Sequence, residues 1–120
     1  MSVMNRRAAN WGLESAPWAP SKARRHVVDQ LHSWGFQEAD DTAGNIAELL
    51  VSTAVNDGGR RVSLHLADQD RQALIMVLSH RTGLAVTDDQ ILPTVAALGA
   101  TSCGADTAED GRRLWAVLDL

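Results

Sequence analysis

Across residues 21–35 the apolar positions Ala23, Val27, Leu31 and Trp34 recur at the spacing of one helix face. Ser21 stands before them as a capping residue, and Gly35 follows where a left-handed residue closes a helix. Arg24, Arg25, Asp29 and His32 make the polar side, so this is an amphipathic surface helix. Upstream, residues 10–20 hold Trp11, Leu13, Pro17, Trp18 and Pro20. Two prolines among scattered aromatics predict an edge strand and a connection that packs without pairing deeply. Residues 1–9 read as a flexible N-terminal tail, and residues 10–120 as one domain.

Residues 41–59 admit two patterns. Asp41 or Thr42 caps a helix whose apolar face is Ala43, Ile46, Ala47, Leu50 and Ala54, ended by Asn56-Asp57-Gly58-Gly59. The rival is a hairpin of residues 50–55 and 61–66 around that same turn. The apolar positions before Val51 fit period 3.6 better than period 2, which favours the helix. Val62, Leu64 and Leu66 alternate with Ser63, His65 and Ala67, a strand with one wet face. Asp68-Gln69-Asp70-Arg71 makes a turn. The unbroken apolar run 73–78 predicts a central strand covered on both faces. Thr87 and Asp88 then cap a helix through Ile91, Leu92, Val95 and Leu98, with Pro93 in its first turn. Residues 102–107 and 112–118 form a last antiparallel pair. Helices set apart from a largely antiparallel sheet make an α+β two-layer sandwich.

The 120 residues, 45% apolar and 22% charged, suit one soluble globular domain. A net charge of −4 with mixed signs does not draw a phosphate backbone, so nucleic acid is not expected as a partner. No apolar run follows Arg6-Arg7, so no signal peptide is expected, and no stretch reaches bilayer length. Cys103 is the one cysteine, which excludes an internal disulfide and fits a reducing, cytoplasmic setting. His26, His32, His65 and His80 lack metal-ligand spacing, so no metal site is expected. Ser52, Ser79 and Ser102 lack a histidine–acid pattern for acyl transfer. Trp34 and Trp115 stand at apolar-phase positions and are expected in the core.

Several segments, in order, carry a resemblance to a known family. They are Ala23-Arg24-Arg25-His26-Val27, Ala47-Glu48-Leu49-Leu50-Val51-Ser52 and Val62-Ser63-Leu64-His65-Leu66. At the end come Leu92-Pro93-Thr94-Val95-Ala96-Ala97-Leu98 and Gly111-Arg112-Arg113-Leu114-Trp115-Ala116-Val117-Leu118. Residues 10–120 thereby resemble the ATP-binding domain of histidine kinases, gyrase-type ATPases and anti-sigma serine kinases (the Bergerat or GHKL group). They are most similar to the short anti-sigma regulators. The resemblance implies a histidine-kinase-like ATPase fold.

The nucleotide boxes depart from that family. Where it carries a catalytic glutamate and a magnesium-binding asparagine, this chain has Thr53 and Asp57. Thr53 cannot act as a general base, while Asp57, or Asn56 beside it, keeps an oxygen that magnesium accepts. The adenine-recognition box reads Ser79, Arg81 and Gly83, and the phosphate-cradling box reads Asp89-Gln90-Ile91, whose carboxylate repels phosphate. Only ten positions separate Ser79 from Asp89, short for a nucleotide lid. The vestigial cofactor positions are thus Thr53, Asp57, Ser79 and Gly83. The resemblance also makes Arg24, after the small Ala23, the residue that contacts a protein partner. The expectation is a non-catalytic anti-sigma-like regulator, a pseudokinase without a cofactor. It would hold a sigma factor or the domain that antagonises anti-sigma proteins. The alternative is an ATP-dependent serine kinase anti-sigma factor with altered nucleotide contacts, using ATP and Mg²⁺. A homodimer stays open as a third reading.

Overall fold

A computed structural model describes residues 6–37, 40–81 and 91–120. The elements are β1 (Arg6–Glu14), α1 (Ala19–Ser33), α2 (Asp40–Asn56), β2 (Arg61–Gln69), β3 (Gln72–Ser79), α3 (Ile91–Ala97), β4 (Ser102–Ala108) and β5 (Gly111–Asp119). The strands form one antiparallel sheet in the order β1-β2-β3-β5-β4. This is an α+β fold with the expected element order, and residues 41–56 are helix, not hairpin.

The reason for the helix is packing. Ala43, Ile46, Ala47, Leu50, Val51 and Ala54 are fully buried against the sheet, a stripe that only period 3.6 brings onto one side. Ala23, Val27 and Leu31 of α1 join the same core. From the sheet come Val62, Leu64, Leu66, Ala73, Ile75, Val77, Leu114, Ala116 and Leu118, alternate residues that all face the helices.

α1 begins two residues before Ser21, with Trp18 at its N-cap position and Pro20 in the first turn, where proline's missing N–H is harmless. It ends as Gly35 requires. Gly35, at φ +94°, donates its N–H to His32 O (2.9 Å), and Phe36 donates to Leu31 O (2.8 Å). Those two bonds form a Schellman closure, which uses orphan carbonyls of the last turn.

β1 starts at Arg6, inside the stretch expected to be a tail, and pairs with β2 in continuous register from Arg6↔Gln69 to Glu14↔Arg61. It is an edge strand, but a deeply paired one. Arg7 explains part of this: its guanidinium binds the buried Asp68 carboxylate (Nη2–Oδ2 2.7 Å) and lies over the rings of Trp34 and Phe36. The turn after β2 is also tighter than expected. Asp68 and Gln69 remain in the strand, and Asp70 and Arg71, both at positive φ, make a two-residue hairpin turn.

β3 is central but, among the described residues, covered by helices on one face only. Leu74, Met76 and Leu78 are half-buried on the other face, beside Trp115 and Val117 of β5. Trp115 is therefore not a core residue. Its indole lies across Gly104, where a Cβ would come within 2.4 Å of the ring. The unbroken apolar run reflects neighbours shielding one another across strands rather than a second helix layer. Thr87, Asp88 and Gly83 lie outside the described residues, and Pro93 falls in the first turn of α3 as expected. Among the described residues, no helix is long and apolar enough to cross a membrane.

Two glycines should respond differently to alanine. At Gly111 (φ +150°) a Cβ would sit 1.8 Å from the Ser79 carbonyl oxygen, so Gly111→Ala should cost about 3 kcal/mol from strain and overlap together. At Gly35 nothing lies within 4 Å, leaving only the backbone penalty, about 1 kcal/mol. Urea unfolding of both variants checks the difference.

Candidate functional site

At one end of the sheet, the C-terminal end of α2, the end of β3 and the start of β5 converge. α2 stops because Gly58 takes φ +85°, with Asp57 N–H bonded to Ala54 O (3.1 Å) and Gly58 N–H to Val55 O (3.1 Å). This turn directs the Asp57 side chain towards β5. Arg112, second residue of β5, alternates onto the helix-covered face and meets it. The contact is bidentate: Nε donates to Oδ2 at 3.2 Å and Nη2 to Oδ1 at 2.5 Å. Both side chains are more than nine-tenths buried (9% and 8% exposed), so neither is solvated in place of the other.

Ser79 closes the cluster. It is 1% exposed, and its hydroxyl donates to the Arg112 carbonyl oxygen at 3.4 Å. Its own carbonyl accepts the Arg81 N–H at 2.8 Å and lies against Gly111, which has no side chain to obstruct it. Arg81 turns outward and its Nη1 donates to Gly58 O at 3.4 Å, capping the C-terminal end of α2.

The structure thus brings Asp57 and Ser79, two of the positions singled out from sequence, around Arg112, which was not singled out. Thr53 is apart from them. It lies on the preceding turn of α2, where its hydroxyl donates to Leu49 O (2.9 Å), the back-bond typical of helical threonine. Gly83 lies outside the described residues. Chemically the cluster is closed: the carboxylate takes two N–H donors from one guanidinium and the serine hydroxyl is spent on a carbonyl. Asn56, the other oxygen donor considered, is exposed at the helix end. Among the described residues, His, Cys, Asp and Glu form no group of three suited to a metal ion.

Arg24 is not a free surface arginine. It reaches from α1 to α2, where Nη1 donates to Asn45 Oδ1 (2.6 Å) and Glu48 Oε2 (3.1 Å), with Asp41 at 4.0 Å. Its stem crosses Gly44, the glycine that leaves room for it. The side chain stays 35% exposed, at the seam between the two helices.

Sequence reasoning missed Arg112 because its role depends on register. An arginine next to Arg113 in an alternating strand reads as surface, and only the pairing Ser79↔Arg112 shows which one turns inward. The signal present was parity: Leu114, Ala116 and Leu118 place residue 112 on the buried face.

The chain matches no protein-family model and no curated protein sequence at a significant level.

Asp57→Ala should cost about 3–5 kcal/mol in urea unfolding, because Arg112 is left charged and buried without a partner. Asp57→Leu combined with Arg112→Met should recover most of that loss, since apolar residues of similar size replace a buried pair at little net cost. Equal losses in the single and double variants would mean the pair is not acting as a unit.

Proposed function

We propose that this chain is a non-catalytic regulator of the anti-sigma type, built on a histidine-kinase-like ATPase scaffold. It acts by occupancy, holding a sigma factor or the small domain that antagonises anti-sigma proteins. The observation that carries the reading is the Asp57–Arg112 pair. The resemblance puts a magnesium ligand at position 57, and here that carboxylate is already neutralised, bidentate and buried. A divalent ion there would have to share one carboxylate with a guanidinium, at the expense of like-charge repulsion. Thr53, at the position of the catalytic base, offers a hydroxyl bonded to its own helix. The element order and the all-antiparallel sheet support the scaffold part of the reading.

For the partner, the α1–α2 seam is the surface this reading favours. Arg24 is held there by Asn45 and Glu48 with a third of its side chain open. Exposed Lys22, Arg25 and Asp29 flank it on α1. A fixed guanidinium loses less freedom on binding than a mobile one, so a partner carboxylate can share it at small entropic cost.

The test is a calorimetric titration in two arms. Mg-ATP should give no saturable heat up to millimolar concentration, while a sigma factor or antagonist domain from the same organism should bind without nucleotide. Arg24→Ala should weaken that complex by about tenfold, the size expected for losing one charge-assisted contact. Transfer of phosphate from Mg-ATP to a serine of the antagonist would overturn the reading.

A further inference from the structure

A second, unrelated site lies on the open face of the sheet. Gly12 of β1, Arg61 and Ser63 of β2, Arg60 just before β2 and His80 just after β3 line an open cleft of about 550 Å³. Arg61 and Ser63 point away from the helices because they alternate with the buried Val62 and Leu64. An adjoining cleft of about 710 Å³ shares Gly12, Arg60 and Arg61 and adds Trp18. Trp18 is 53% exposed, an uncovered aromatic surface beside two cations.

Three observations give this cleft a ligand chemistry. First, its guanidiniums have no side-chain partner among the described residues. Arg7, Arg24, Arg112 and Arg113 each bind a carboxylate, and Arg81 binds a carbonyl. Arg60 and Arg61 have no side-chain hydrogen bond or ion pair among the described residues. Glu14 stands directly opposite Arg61 in the strand register, yet the two form no ion pair. Second, Gly12 leaves the space that Arg61 uses. The Arg61 Nη2 lies 2.8 Å from where a Cβ on residue 12 would be, so the absence of a side chain is what admits the guanidinium. Third, Ser63 Oγ and His80 Nε2 are 2.6 Å apart. In the tautomer with the hydrogen on Nε2, the imidazole donates to Ser63 and leaves the hydroxyl proton for a ligand oxygen.

Two planar guanidinium forks and a hydroxyl exceed what the two oxygens of a carboxylate can use. They match the three terminal oxygens and double charge of a phosphate ester. We propose that this cleft binds a phosphomonoester dianion, carried by a small metabolite or by a phosphoserine of another protein. The proposal does not rest on the anti-sigma reading: it uses other residues, on the opposite face of the sheet.

The experiment is calorimetric titration of the full chain at low ionic strength with inorganic phosphate, N-acetyl-phosphoserine amide and adenosine monophosphate. Acetate at matched ionic strength is the control. The phosphate probes should bind saturably and about tenfold or more tighter than acetate, as expected when extra charge-assisted bonds form. Arg60→Gln and Arg61→Gln should each weaken binding by about tenfold, one charge-assisted contact apiece. Gly12→Val should weaken it by no more than Arg61→Gln does, because it displaces only the end of that flexible side chain, with the thermal unfolding midpoint retained. Adenosine monophosphate binding tighter than the phosphoserine probe would assign the ligand to the metabolites, and the reverse order to a modified protein. No saturable binding by any phosphate probe, or binding unchanged in both arginine variants, would overturn the proposal.

Discussion

One bidentate ion pair fixes how the end of this molecule is assembled. Arg112 at the start of β5 grips Asp57 just past α2, while the serine at the end of β3 bonds to the backbone of Arg112 itself. Three elements far apart in sequence are therefore joined at one buried polar point. Two charges taken out of water hold only if each keeps the other, so the geometry tolerates little displacement. Gly111 is part of the same constraint, since the β4–β5 turn abuts the Ser79 carbonyl where any side chain would collide. The proposed loss of nucleotide chemistry follows from the same bond: an internal guanidinium already supplies the positive charge that the resemblance would assign to magnesium.

Arginine does similar work elsewhere. Arg7 ties β1 to the buried Asp68 of β2 and lies over two aromatic rings at the end of α1. Arg24 bridges the two long helices through Asn45 and Glu48. Each contact spans more than twenty positions of sequence and uses a planar fork that lysine cannot supply. Lys22 is the one lysine of the chain, and several of its arginines have these structural roles. Against that background Arg60 and Arg61 stand out, because they are adjacent, share two clefts and bind no carboxylate among the described residues.

The elements were legible where periodicity was undisturbed. α1, α2, β2 and β5 could be read from their apolar spacing, since burial in one helix layer imposes the period that the sequence records. The turn of Gly35 and the end of α2 at Gly58 were legible because positive φ demands glycine. What stayed hidden depends on partners distant in sequence. Arg6 to Ala9 carry no alternating apolar signal, and their strand exists through its register with β2 and the Arg7–Asp68 bond. The solvent exposure of β3's second face was illegible for a related reason: an apolar run is the same string whether helices or neighbouring strands shield it. The candidate site was half legible. Asp57 and Ser79 could be named by resemblance, but Arg112, which decides their chemistry, required the β3–β5 pairing.

The two sites lie on opposite faces of the sheet, yet a very short piece of chain joins them. Asp57 faces the helices, Arg60 and Arg61 line the open cleft, and only Gly58 and Gly59 separate them in sequence. That link is itself held, because Arg81 bonds the Gly58 carbonyl while Gly59 packs on the His80 backbone. His80 in turn carries the imidazole paired with Ser63 in the cleft. Backbone from α2 to β2 and backbone leaving β3 therefore form one small framework between the buried ion pair and the open cleft. An anion seated on Arg60 and Arg61 would pull on residues next to a glycine pair whose other end is anchored by Asp57. The backbone that carries those two guanidiniums is thus tied on one side to the buried pair and on the other to the β1–β2 ladder, where Arg61 stands opposite Glu14.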